Sequence, residues 1–192
     1  MADEAQAGLP ARTSPSRIPG GNLLLRPGTQ TPPIEFNLID GSLWSLHKRD
    51  PAALTLLSFR RGNFCRYCRG HLAQLDSLVP AFEERGIEVV TVSTDGIEEA
   101  QRLRLEHGLN RLAIGHGLRQ DDIEACGLFA SERVMNGVRQ RFAEPALWLV
   151  RPGGQLYANF QSSMSCAPND LNLLLEGIDT LAAHGFPDRG NA

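Results

Sequence analysis

The chain has 192 residues, 42% of them apolar, which suits one domain of ordinary size plus a tail. Its formal net charge of −3 excludes the strongly basic character of a nucleic-acid or anionic-membrane binder. No apolar run approaches the roughly 18 residues of a membrane span.

The first 30 residues carry prolines at 10, 15, 19 and 27 and glycines at 8, 20, 21 and 28. Leu23, Leu24 and Leu25 form the one apolar run there, so residues 1–30 read as a flexible arm that docks at most one turn on the domain or on a partner subunit. The start of the chain lacks a basic region followed by an apolar core, so no signal peptide is expected. A reducing, cytoplasmic compartment is the expectation, and there paired cysteines are more often catalytic or metal-binding than structural.

The folded domain is expected over residues 31–185, with 186–192 frayed. Ile34 to Ile39 alternates apolar and polar residues, Asp40-Gly41-Ser42 turns, and Leu43 to Leu46 returns, which is a hairpin pattern. Leu54 to Phe59 is an apolar run of strand length. The leucines at 72, 75 and 78 with Phe82 follow a helical period over Cys68–Arg85, and Ile87–Ser93 reads as the next strand, together a right-handed βαβ unit. Pro80 lies within that helix and removes one backbone donor. Asp95 and Glu98 have the spacing of an N-cap pair for a helix over Ile97–His107. Leu109–Ile114 reads as a short extended segment, Gln120–Cys126 as a short helix closed by Gly127, and Ser131–Arg141 as a polar, arginine-rich connection. Ala146–Val150 and Gln155–Phe160 flank Pro152-Gly153-Gly154 as a second hairpin, and Leu171–Ala183 is the closing helix.

The chemistry concentrates between the first apolar strand and its helix. There the sequence runs Arg60-Arg61-Gly62-Asn63-Phe64-Cys65-Arg66-Tyr67-Cys68-Arg69. Two thiols three residues apart can close a small disulfide ring, and the unpaired N–H groups at a helix start stabilise a thiolate. Arg61 and Arg66, with Arg60 and Arg69, add positive charge at the same corner. The competing reading is half a zinc site with His71 as a third ligand, but a structural zinc site needs four ligands and Cys126 and Cys166 lie far along the chain. His71 is expected on the helix surface, where its charge tunes the thiols. Cys126 reads as a small core residue and Cys166 as an idle thiol in a loop.

Element order and motifs together resemble the thioredoxin fold, a central mixed β-sheet flanked by helices with an N-terminal β-hairpin. More specifically, Phe59 to Leu72 resembles the Phe-Tyr-Arg-Gly-x-x-Cys-Pro-x-Cys signature of peroxiredoxin-like proteins of the alkyl hydroperoxide reductase / thiol-specific antioxidant family. Val89–Asp95, Pro33–Gly41 and Glu144–Tyr157 fit the same family. The resemblance implies a thiol peroxidase or thiol–disulfide oxidoreductase without metal or organic cofactor. Its implied partners are a peroxide or disulfide substrate and a thioredoxin-type electron donor, and a homodimer is compatible with the arm. Two positions depart from the family: Cys65 stands where a peroxide-polarising threonine is usual, and Glu144-Pro145 stands where an arginine is. Arg60, Arg61 or Arg141 are the candidates to replace that arginine. The resemblance also leaves the bond before Pro145 open between cis, as in thioredoxin-fold proteins, and the commoner trans.

Three functions are compatible with this sequence: a peroxidase cycling through Cys65 and Cys68, a general protein disulfide oxidoreductase, and a catalytically idle binding protein that keeps the fold. Alignment to peroxiredoxins makes Cys68 the attacking thiol, whereas analogy to thioredoxin makes it Cys65. Position favours Cys65, because the residue at a helix entry receives the free N–H groups of the next turn and faces solvent.

Overall fold

The computed structural model describes residues 24–135, 137–166 and 169–190; residues 1–23 of the arm lie outside the described residues. Strands β1 (Glu35–Leu38) and β2 (Leu43–Ser45) form the expected hairpin. Then follow β3 (Leu54–Phe59), α1 (Arg66–Glu83), β4 (Ile87–Val92), α2 (Ile97–His107), β5 (Ala113–His116) and α3 (Gln120–Ala125). The chain continues through β6 (Ala130–Met135), β7 (Val138–Ala143), β8 (Ala146–Val150) and β9 (Leu156–Gln161) to α4 (Leu171–Ala182).

Seven strands form one mixed sheet in the order β2-β1-β5-β4-β3-β8-β9. β3, β4 and β5 run parallel, and β8 joins β3 antiparallel with Leu57 opposite Trp148. Every residue of β3 is buried, as a central strand covered on both faces demands. Its side chains alternate. Leu54 and Leu56 face a core with Leu72, Leu75, Val79 and Phe82 of α1, Leu103 of α2 and Leu175 and Ile178 of α4. Leu57 and Phe59 face the other core with Trp44, Ile123 of α3 and Trp148. This arrangement puts the C-terminal end of β3, and the turn after it, at the rim of the sheet.

Two expectations are corrected. The Ser131–Arg141 connection is the β6–β7 ribbon, a separate two-stranded sheet pairing Ala130 with Ala143 through Met135 with Val138. Its side chains are largely exposed, including Val134 and Val138, so it carries no one-sided apolar alternation to read. The N-cap of α2 is Gly96, without a side-chain cap bond, and Asp95 points elsewhere. At the C-terminal end, Phe186 packs edge-on against Tyr157 at 5.6 Å, and Arg151 donates to the Phe186 carbonyl at 2.6 Å. No helix among the described residues is long and apolar enough to cross a membrane.

Asp76 shows how α1 is tied to its surroundings. Its buried carboxylate accepts the backbone N–H groups of Arg111 and Leu112, at 2.9 and 2.8 Å, and so holds the segment that leads into β5. Asp76→Ala is expected to strand both donors and cost roughly 2–4 kcal/mol in chemical denaturation, with Asp76→Asn costing less because one acceptor remains.

Candidate functional site

β3 delivers Phe59 and Arg60 to the sheet edge, and a turn over Arg61–Phe64 leads to Cys65. Gly62 sits at φ 138°, where a Cβ would lie 2.7 Å from an oxygen of Asp95, so the tightness of this turn requires glycine. The helix begins two residues earlier than its apolar period suggests. Cys65 itself is the N-cap of α1, in extended conformation, and its Sγ accepts the N–H of Cys68 at 3.2 Å. A thiolate on Cys65 would therefore take one of the orphan donors of the helix and sit at the positive end of its dipole. The two sulfurs are bonded, with Cα atoms 5.3 Å apart. Cys126 and Cys166 are free, the former fully buried and the latter exposed. Burial pushes the Cys126 thiol up to about 12, which makes it inert at neutral pH.

Both motif cysteines are buried, Cys65 at 4% and Cys68 at 6% exposure, which corrects the expectation that Cys65 faces solvent. What is exposed is aromatic: Phe64 and Tyr67 stand on either side of Cys65, at 39% and 46%.

The arginines divide their roles. Arg60 is 2% exposed and binds Asp95 at 2.6 Å and the Gly115 carbonyl at 3.3 Å, and desolvation lowers its pKa against the pull of Asp95. Asp95 also accepts the N–H of Asn63 at 2.9 Å, so one carboxylate anchors both the end of β3 and the turn into Cys65. Arg61 lies 3.3 Å from Glu144 as an ion pair without hydrogen-bond geometry, donates to Ser165 Oγ at 2.9 Å, and stacks on Phe142 and Phe64. Arg66 lies over the Tyr67 ring, 4.9 Å from its centroid. Arg141 pairs with Glu124 on α3. Of the three candidates for the family's missing arginine, Arg61 therefore spans the β7–β8 connection through Glu144 and the loop after β9 through Ser165, two segments that also line the Cys68 cavity at Pro145 and Ser165.

Pro145 lines the same small cavity as Cys68 and His71, and its preceding bond is trans. His71 is half-buried rather than on the surface, and burial holds its pKa below the ordinary value of 6.5. A wider groove of about 490 Å³ opens on the other side of the turn, between Asn63 and Phe64, the Asp95–Gly96 corner and β7. Arg133 of β6 lies 3.7 Å above the ring of Phe64. Sequence reasoning had marked Cys65, Cys68, Arg61, Arg66 and Pro145, but not Asp95, Glu144 or Ser165, whose partners lie far away along the chain.

A family model described as the AhpC/TSA family matches residues 27–158, more than half of the chain. The chain belongs to the AhpC/TSA family, an enzyme family of thiol peroxidases. Solved structures agree on the fold. A peroxiredoxin-like protein from Aquifex aeolicus superposes with a TM-score of 0.69 at 13% identity, covering 84% of this chain and 90% of that one. The reduced 2-Cys peroxiredoxin of Plasmodium vivax gives 0.68 at 16%, covering 84% of each. A thiol peroxidase from Chromobacterium violaceum gives 0.66 at 17%, covering 88% and 92%. Among curated proteins, none matches the chain in sequence. At these identities the likeness is one of fold, and it bears out the thioredoxin-like mixed sheet with its N-terminal hairpin.

Proposed function

We propose that this AhpC/TSA chain reduces peroxides through a dithiol–disulfide cycle of Cys65 and Cys68. The observation that carries the reading is Cys65 at the N-cap of α1, bonded to Cys68 and accepting its N–H. In the cycle, the Cys65 thiolate attacks the terminal oxygen of a hydroperoxide. The O–O bond breaks, the alcohol or water leaves with a proton, and Cys65 becomes a sulfenic acid. The Cys68 thiol then attacks that sulfur, the S–O bond breaks, water leaves, and the disulfide forms. A thioredoxin-type donor with two thiols returns both sulfurs to the reduced state by thiol–disulfide exchange. Arg61, Arg66 and Pro145 support the site, and residues 31–185 are the unit that carries it.

A second reading, thiol–disulfide exchange on protein disulfides, is favoured by one observation. The exposed rings of Phe64 and Tyr67 flank Cys65 as an apolar rim suited to a polypeptide. A donor-coupled assay that follows NADPH with thioredoxin and its reductase separates the two. Turnover with hydrogen peroxide or an organic hydroperoxide is expected; turnover with a protein disulfide alone would replace the first reading with the second.

A further inference from the structure

The resolving step leaves a proton to be placed. Cys68 is 6% exposed in the disulfide form, so its sulfur has little direct access to bulk water. His71 follows Cys68 by three residues on α1, the spacing at which helical side chains are neighbours. A cavity of about 20 Å³ is lined by both residues together with Phe59, Tyr67 and Pro145. A second cavity of about 30 Å³ lies beyond His71, lined by Ser58, Ser162 and Asn169. Each has the volume of about one water molecule. His71 Nδ1 is buried and meets no hydrogen-bond partner among the described residues, which is uncommon for a buried ring nitrogen.

We propose that His71 is the proton acceptor for Cys68 in the resolving step, working across the small cavity that the two side chains share. The proposal rests on the reading in which Cys65 attacks and Cys68 resolves. As the Cys68–Cys65 bond forms, the Cys68 proton passes to the imidazole. The group leaving Cys65, hydroxide from a sulfenic acid or a thiolate from a mixed disulfide, departs with the electron pair of the broken bond. The imidazolium then returns the proton to that leaving group or to solvent past Ser162. Burial keeps the imidazole neutral at neutral pH, the state needed to accept a proton. The titratable or charged groups lining the two cavities are Cys68 and Tyr67 on α1 and Arg60 after β3, the last already met by Asp95. From β8 and the segment after β9 come Pro145, Ala146, Leu147, Ser162, Ser165 and Asn169, none of them charged.

The test uses the reduced full-length chain, with the exposed Cys166 replaced by serine in every sample so that only the dithiol reacts, and the chromogenic disulfide DTNB. Attack by Cys65 releases one thionitrobenzoate, and attack by Cys68 on the resulting mixed disulfide releases the second. In the wild type the second release is expected to stay fast down to about pH 6.5. In His71→Gln it should slow at least about tenfold at pH 7 and recover towards pH 9.5, where hydroxide replaces the base. An unchanged second release in His71→Gln overturns the proposal. If that variant does not fold, the wild-type profile decides: a second release that falls tenfold per pH unit from 8 to 6 shows that no internal base takes the proton and also overturns it. A first release that persists in Cys65→Ser would instead overturn the underlying order of attack.

Discussion

Cys65→Ser is expected to lower peroxide turnover roughly a thousandfold or more, because the group that attacks the O–O bond is gone. Cys68→Ser is expected to behave differently: it should react once and then stop, holding a sulfenic acid or a mixed disulfide on Cys65. The asymmetry follows from position. Cys65 is the N-cap and its sulfur receives the N–H of Cys68, so negative charge is stabilised there before any substrate arrives. Cys68 lies one turn further along and lines a small cavity with Tyr67, Leu72 and Pro145, away from the helix entry whose N–H its partner receives. A sulfenic-acid probe with mass spectrometry on the two single variants reads the order directly. Labelling of Cys68 in Cys65→Ser at the wild-type rate would make Cys68 the attacking thiol, as alignment to peroxiredoxins suggests.

Much of this site was legible because its pieces are local. β3 and α2 match their expected bounds, since each is a contiguous pattern with a clear period. The dithiol was visible from three residues of spacing and the strand before it. What escaped were contacts between distant segments. Asp95 follows β4 and has the sequence pattern of a helix cap, but a buried guanidinium competes for the same carboxylate. The N–H groups of α2 can turn to water, whereas Arg60 cannot, so Arg60 takes it and Gly96 caps the helix. The β6–β7 ribbon escaped for another reason. Both its faces are mostly exposed, so its ladder is held by backbone bonds and by pairs such as Arg139 with Glu132, which leave no period-two signature. The sequence expects His71 on the helix surface because it lies outside the leucine period of α1. Only the strand and loop packed opposite it close the space around its ring.

The Arg60–Asp95 pair predicts the largest loss of stability. Removing one partner from a buried ion pair leaves the other charge without compensation, which costs about 3–5 kcal/mol. Here Arg60 is 2% exposed and its remaining acceptor is a single carbonyl at 3.3 Å. Asp95→Ala should therefore lower the melting temperature by roughly 6–20 °C, using about 2–4 °C per kcal/mol for a chain of this size. Asp95→Asn keeps the shape and one acceptor but not the charge, and should fall between the two. The effect reaches the dithiol, because the same carboxylate holds the N–H of Asn63 two residues before Cys65 and packs against Gly62. Without it the turn loses its anchor, and Cys65 no longer meets the N–H of Cys68 in a fixed geometry. Asp95→Asn is thus expected to slow alkylation of reduced Cys65 at pH 7 even at temperatures where the protein is fully folded. Replacing both partners, Arg60→Met with Asp95→Leu, should restore much of the melting temperature by removing the buried charge while leaving the alkylation rate low. Recovery of both together would show that the pair serves stability alone and that the turn into Cys65 is held by other contacts.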